Sequence, residues 1–265
     1  MHTELIAVTA ASGALGRLVI ERLRALVPAD RLVAVVRDPR QDLGVAARRG
    51  DYDEPESLIS AFDGAGRVLL ISSPELDAAR RVGQHRNAIE AAVKAGVQQL
   101  VYTSLLGAES DRPGATVAHH ATEAAIRAAG VPYTMLRNPF YHDAFVHPGL
   151  RAAVEAGELT SGTAGRGLNT ATRRDLAGAA AAVLTGDGHA NTAYDLTGPL
   201  WTFPELADLL SVAYREQAPE GPMGYLHRLV AQGEMERQTG DLQRLLGRPA
   251  ASLGETVREA LTAAR

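Results

Sequence analysis

From Ile6 to Gly16 the chain reads Ile-Ala-Val-Thr-Ala-Ala-Ser-Gly-Ala-Leu-Gly, and Arg17 to Leu26 continue at helical spacing. An apolar run, a cluster of small residues with Gly13 and Gly16 three apart, and an amphipathic stretch predict strand, tight turn and helix in succession. Small side chains in such a turn let the backbone come close to a ligand. The free N–H groups and the dipole at the helix start favour an anionic one, above all a pyrophosphate. A tight turn that merely needs small residues would look similar. A second apolar run, Arg31-Leu-Val-Ala-Val-Val36, stands at the distance expected within a dinucleotide-binding unit, and that context gives the motif its weight.

The alternation continues. Strands are predicted at Leu5–Thr9, Arg31–Arg37, weakly at Val45–Gly50, and at Val68–Ser72, Leu100–Thr103 and Tyr133–Arg137. Helical patterns fill Gly13–Leu26, Pro55–Phe62, Ala78–Ala95 and Val117–Ala129, several ending at a glycine such as Gly64, Gly96 or Gly130. Such alternation implies an α/β fold, a Rossmann-type doubly wound parallel sheet covered on both faces. Ligands of such sheets sit beyond the carboxyl ends of the strands. After Pro139 the pattern loosens, with Pro148 and five glycines before Asn169. A capped helix is predicted over Thr172–Leu184, a strand over Ala193–Thr197, and helices over Pro204–Ser211 and Ser252–Ala264. The expected division is a dinucleotide-binding domain over 1–140 and a smaller, substrate-side C-terminal lobe over 141–265, folded over the cofactor face.

Composition narrows the function classes. A length of 265 residues allows one large domain, or one with a cap. The net charge of −4 offers no general attraction to nucleic acid or anionic membrane. The chain contains no cysteine, which removes disulfides, thiolate catalysis and cysteine metal ligands. It enters a strand within a few residues, shows no leader pattern, and has no apolar run near the ~18 residues of a membrane span. A cytoplasmic protein is expected, a monomer or homodimer, with no nucleic-acid or membrane partner.

Candidate cofactor residues follow from the fold. Thr9, Ala11, Ser12, Gly13, Ala14 and Leu15 lie in the turn. The second strand ends in Arg37-Asp38-Pro39, where the adenosine ribose should lie. An acid there favours the free hydroxyls of NAD; a guanidinium pairs with the extra phosphate of NADP. Arg37 continues the strand while Pro39 turns Asp38 away, so NADP is expected, against a solvated Arg–Asp pair of little consequence. Asp51 and Tyr52 are candidates for the adenine edge, although acids there would also suit the start of the next helix. Ser72 and Ser73 close the fourth strand, leaving room for a ribose or simply making a turn.

Taken together, Val8-Thr-Ala-Ala-Ser-Gly-Ala-Leu-Gly16, Val36-Arg-Asp-Pro39, Gly50-Asp-Tyr-Asp53, Val101-Tyr-Thr-Ser-Leu-Leu106 and Pro132-Tyr-Thr-Met-Leu-Arg-Asn-Pro-Phe-Tyr141 resemble the atypical short-chain dehydrogenases. The branch they resemble is NmrA-like, and within it the NADPH-dependent quinone oxidoreductases. The likeness runs from about residue 5 to Thr239–Pro249. It implies a nicotinamide cofactor, NADP (NADPH), lying across the strand ends, with Asn138 and Pro139 bordering the nicotinamide. Two departures stand out. Ala10 replaces a glycine usual in the family, which the turn survives if that site is not left-handed. The Tyr and Lys pair of ordinary short-chain dehydrogenases is absent: counted back from Glu123, the slots fall on Ala115 and His119. That absence agrees with the NmrA-like branch.

A ketone needs its oxygen protonated as hydride arrives, whereas the reduced oxygen of a quinone is a stabilised phenolate. A site without the acid is therefore expected to reduce a quinone or similar electron-poor small acceptor by proximity and orientation. Phe140, Tyr141 and Phe145 follow the sixth strand and are candidate walls for a flat acceptor, or fasteners of the C-terminal lobe. His119 is the candidate proton donor, against a histidine that merely starts a helix. Ser104 is open to either a substrate or a structural hydrogen bond. His142 and His147 lack the spacing of helical metal ligands, and no metal is expected. The alternative function is a non-catalytic NAD(P)-sensing regulator acting through a protein partner. A third is reduction or isomerisation of a substituted carbonyl.

Overall fold

Seven parallel strands form the central sheet of the computed structural model, which describes residues 4–111, 114–217 and 219–262. The strands are β1 Leu5–Thr9, β2 Leu32–Val36, β3 Ala46–Arg49, β4 Ala65–Leu70, β5 Gln99–Leu105, β6 Tyr133–Asn138, β7 Phe140–Tyr141, β8 Glu158–Ser161, β9 Leu168–Ala171, β10 Thr192–Asp195, β11 Leu200–Trp201 and β12 Ala213–Glu216. The helices are α1 Ala14–Arg24, α2 Pro55–Phe62, α3 Ala78–Lys94, α4 Val117–Ala128, α5 Leu150–Ala156, α6 Arg173–Thr185, α7 Phe203–Leu210, α8 Gly221–Ala231, α9 Asp241–Leu246 and α10 Leu253–Thr262. Residues 263 and 264, the end of the last expected helix, lie outside the described residues.

The sheet order is β10-β6-β5-β4-β1-β2-β3. Succession runs outward one way from β1 and the other way from β4, so the reversal falls between these two strands. A crevice opens there at their carboxyl ends, the place where such sheets bind ligands. The central strands are largely apolar because helices cover both faces; every residue of β2 is apolar and buried. The Ala-Ala-Arg-Arg of β3 is partly exposed at the sheet edge, which is why its signal in the sequence is weak.

The chain forms two compact units, Met1–Asn138 with Leu176–Leu196, and Pro139–Asp175 with Thr197–Arg265. The division expected at 140/141 thus needs a correction: Leu176–Leu196 returns to the first unit. β10 extends the sheet beyond β6, in register from Thr192 with Thr134 to Asp195 with Arg137. Arg67 on β4 fixes the same segment, donating to the carbonyls of Leu184 at 2.9 Å and Gly186 at 2.6 Å. Those are carbonyls that the end of α6 leaves without helical partners.

The first unit packs Val33, Val35, Leu58, Phe62, Val68, Leu70, Ile126 and Met135 into a continuous core. The second has its own core, in which Phe145, Leu168, Trp201, Phe203, Leu206 and Val230 meet. Its strands are two to four residues long and form a β11-β9-β7 sheet and a β12-β8 pair. Runs that short carry no readable alternation, and none of these five strands was expected. Buried His142 ties this unit together, its Nδ1 2.7 Å from Thr170 Oγ1 and its Nε2 2.7 Å from Thr256 Oγ1. Among the described residues no helix is long and apolar enough to cross a membrane.

Phe62 is fully buried at the end of α2. Phe62→Ala is expected to lower unfolding free energy by about 3–5 kcal/mol, the range for truncating a core aromatic. Chemical denaturation would measure this as a lower midpoint at unchanged slope; a loss under about 1 kcal/mol would show that the site collapses without penalty.

Candidate active site

At the carboxyl end of β1 the backbone of Ala10 turns to φ 47°. The site is left-handed, so the condition under which alanine is harmless there is not met. The Ala10 carbonyl accepts the Gly13 N–H at 2.9 Å, and the Ala11 N–H donates to Val35 at 3.3 Å. A Cβ on Gly16 would lie 2.4 Å from the Ala10 carbonyl oxygen and 2.7 Å from the Ala11 Cα. Both are backbone atoms that cannot yield, so glycine at 16 lets α1 cross the turn at contact distance. Helix α1 carries no side-chain cap and no acid in its first turn. Its opening N–H groups therefore remain open to an anion. Arg17 folds back on the turn, its Nε 2.9 Å from the Ser12 carbonyl and its Nη2 3.2 Å from Gln41.

A cavity of about 560 Å³ extends from this turn toward β2 and the loop after β4. Of the expected cofactor residues, Thr9, Ser12, Gly13, Arg37, Asp51, Tyr52 and Ser73 line it; Ala11, Ala14, Leu15, Ser72, Asn138 and Pro139 do not. Ala11 and Leu15 are buried beneath the turn and Ala14 faces solvent. At the β2 end the two competing residues separate. Asp38 takes both oxygens to Arg40 at 2.8 Å, and that side-chain bond holds its carboxyl below the usual range. Arg37 is exposed on the cavity wall and has no ion pair among the described residues.

Tyr52 borders the cavity, but its hydroxyl turns inward. It lies 2.6 Å from both Thr9 Oγ1 and the Ile71 carbonyl. Thr9 in turn donates to the Leu69 carbonyl at 3.0 Å and accepts the Ile71 N–H at 2.9 Å. Burial pushes the Tyr52 phenol well above its ordinary range. Asp53 does not cap α2; Gln84 donates to both its oxygens at 3.0 and 3.1 Å and Arg80 approaches at 3.2 Å. These contacts, that of Gln84 foremost, hold its carboxyl low. Leu76, 95% exposed, stands on the lip.

Beneath the ends of β4 and β5 runs a buried polar network. The Ser73 N–H donates to His85 Nε2 at 2.9 Å. That nitrogen must be unprotonated, so Nδ1 carries the hydrogen and faces Thr122 Oγ1 at 2.8 Å. Thr122 passes its own proton to the Ala118 carbonyl. Tyr102, on β5, places its hydroxyl 2.8 Å from His119 Nδ1. Burial pushes the Tyr102 phenol up and depresses both imidazoles to about 3. His119 is 5% exposed, does not line the cavity, and is neutral at pH 7. It cannot act there as an imidazolium acid, which corrects the expectation of a proton donor.

Ser104 is structural: it donates to Glu123 at 2.7 Å, and Arg137 grips the same fully buried carboxylate through two 2.8 Å bonds. Burial raises the pKa of Glu123, but hydrogen bonds from Arg137, Ser104 and Arg127 outweigh it and hold the group ionised. In the second unit, Phe145 packs against Trp201 and Phe203 in the core and is unavailable as an acceptor wall. Phe140 and Tyr141 remain half-buried, with the Arg173 guanidinium 4.3 Å above the Tyr141 ring. Gln84, His85 and Arg17 escaped the sequence reading. Their helical positions were evident, but nothing local showed which strand end they would face.

Residues 10–187 match the model of a family described as NAD(P)H-binding. The chain belongs to that family. An NmrA-like family domain-containing oxidoreductase of Aspergillus flavus is 32% identical over 148 residues, 52% of this chain and 48% of that relative. Quinone oxidoreductase 2 of Escherichia coli is 42% identical over 210 residues, 77% of this chain and 72% of the relative. Among solved structures, the Citrobacter sp. triphenylmethane reductase complexed with NADP(H) superposes at TM-score 0.91 with 40% identity, over 97% of this chain and all of that one. The E. coli NADPH-dependent quinone oxidoreductase complexed with NADPH does so at 0.87 with 35% identity, over 96% and 99%. The residues present suit such a group: a glycine-cleared turn, an uncapped helix start and an arginine without an ion pair among the described residues share one cavity wall.

The depressed imidazoles have a stability consequence. Both histidines bind a proton near pH 6.5 when unfolded but only near 3 when folded. Their contribution is complete above 6.5 and is lost progressively as pH falls from there toward 3. Denaturation midpoints are expected to be flat from pH 7 to 8 and to decline below 6.5. The imidazole resonances of His85 and His119 should stay in their neutral form at pH 5; titration near 6.5 would refute the buried network.

Proposed function

We propose that this chain is an NADPH-dependent reductase that passes a hydride to a quinone or a similar electron-poor, planar small molecule. One observation carries the reading. Three groups on β5 and α4 that could donate a proton, Tyr102, His119 and Ser104, are buried and committed to internal hydrogen bonds, and the half-buried His120 turns its Nδ1 to the Ala108 carbonyl at 2.9 Å. A ketone reductase needs a positioned acid worth roughly 10²–10⁴-fold in rate. A quinone does not, because its reduced oxygen is a stabilised phenolate that water can protonate afterwards.

When bound, a reduced nicotinamide supplies the hydride. The rest falls to the chain. The opening N–H groups of α1 hold phosphate charge, with no carboxylate in the first helical turn to oppose it. Arg37 is assigned to the phosphate that distinguishes NADPH from NADH; Asp38, occupied by Arg40, is not positioned to receive the ribose hydroxyls of NADH. Thr9 and Tyr52 stiffen the floor between them. Asp51 and Ser73 are proposed as polar contacts to the nucleotide. Phe140 and Tyr141 are proposed as the aromatic contacts of the acceptor. The reductases it resembles, one named for quinones and one described with triphenylmethane dyes, support an organic acceptor of hydride.

Purified protein mixed anaerobically with NADPH and a simple benzoquinone is expected to consume the reduced-nicotinamide absorbance only when the quinone is present. Tight nucleotide binding without turnover would overturn the enzyme and favour a sensor of nucleotide redox state. Arg37→Asp is expected to weaken NADPH by roughly tenfold or more, the scale of one lost charge-assisted contact, and NADH by far less. Equal weakening of both in a calorimetric titration would make Arg37 peripheral.

A further inference from the structure

Four non-glycine residues among those described have a left-handed backbone, and of these Ala10 alone lies on the cavity wall. Its conformation is not free to relax. The carbonyl is tied to the Gly13 N–H at 2.9 Å and fills the space that a Cβ on Gly16 would need. Its neighbour on one side, Thr9, is held through its hydroxyl between Leu69 and Ile71. Its neighbour on the other, Ala11, donates to Val35. With the backbone pinned on both sides, the direction of the Ala10 methyl is fixed too.

We propose that Ala10 sets the nucleotide affinity of this chain. Its methyl, fixed on the wall of the phosphate turn, keeps the pyrophosphate of a bound dinucleotide farther from the backbone than glycine would, so the nucleotide is held loosely and leaves readily. The inference rests on the cofactor reading above. Two effects must be kept apart. The left-handed conformation costs folding stability whether or not nucleotide is bound, and alone it would not change affinity. The methyl acts on affinity because Ala10 lines the cavity beside Ser12 and Gly13, where α1 presents its opening N–H groups, and a bare Cα there would let the backbone come closer to a ligand. Both pyridine nucleotides share the pyrophosphate, so the effect falls on them equally. Arg37, by contrast, tells them apart.

The test is Ala10→Gly, a substitution that relieves strain. Thermal unfolding of the free protein is expected to shift upward by roughly 2–4 °C. Calorimetric Kd values for NADPH and for NADH should both fall, by the same factor of roughly three to ten, the scale of one net hydrogen bond. Stopped-flow release of NADPH should slow correspondingly. A higher melting temperature with Kd unchanged would overturn the proposal and leave Ala10 a purely structural cost. Tightening confined to one nucleotide would also overturn it. If the wild-type chain takes up neither nucleotide at millimolar concentration, the cofactor reading itself fails, a result visible before any variant is made.

Discussion

The carbonyl of Ala10, pressed against the bare Cα of Gly16, determines where α1 begins relative to the sheet. Everything at the crevice is placed from that contact. It brings the open N–H groups of the helix to the end of β1, beside the point where the strand order reverses. A side chain at 16 would push helix and turn apart, and the phosphate seat with them. Thr9 extends the same arrangement sideways: one hydroxyl joins β1 to the end of β4 and to Tyr52, so three segments of the cavity floor share a single buried atom.

The polar groups under the strand ends illustrate a trade between stability and chemistry. His85, Thr122, Tyr102, His119, Ser104, Glu123 and Arg137 are buried and satisfied, as buried polar groups must be. A group whose proton is committed inside the protein is poorly placed to give it to a ligand. Ordinary short-chain dehydrogenases keep a tyrosine and a lysine at this edge; here the corresponding helix spends its polar side chains on fixing β5, β6 and α3. The arrangement selects acceptors that bring their own driving force.

What the sequence disclosed follows physical range. The parallel sheet was legible because its central strands are buried on both faces and read as largely apolar runs alternating with helical patterns. Arg37 was expected to continue the strand, but β2 ends at Val36; Arg37 lines the cavity from beyond the strand end, while Asp38 pairs with Arg40. Tyr52, a candidate for the adenine edge, borders the cavity, but its hydroxyl turns inward, as only the position of Thr9, 43 residues away, shows. The helix carrying His119 was evident, but its burial depends on Tyr102 of a neighbouring strand. The handedness of Ala10 could not be read from its identity, since alanine is ordinarily right-handed and only the Gly16 contact demands otherwise. The aromatic cluster after β6 misled in part, because Phe145 belongs to a core whose other rings, Trp201 and Phe203, lie more than 50 residues downstream.

The return of Leu176–Leu196 to the sheet bears on how the molecule is made. On the ribosome, β6 emerges more than 50 residues before β10, its last partner, so the sheet spends that interval with an open edge. During that time the intervening chain can collapse on its own short strands, while the unfinished edge exposes unpaired amides to neighbouring nascent chains. Completion of the first unit is therefore gated by the later-synthesised stretch, and the guanidinium of Arg67 waits uncovered until the carbonyls of Leu184 and Gly186 arrive to receive it.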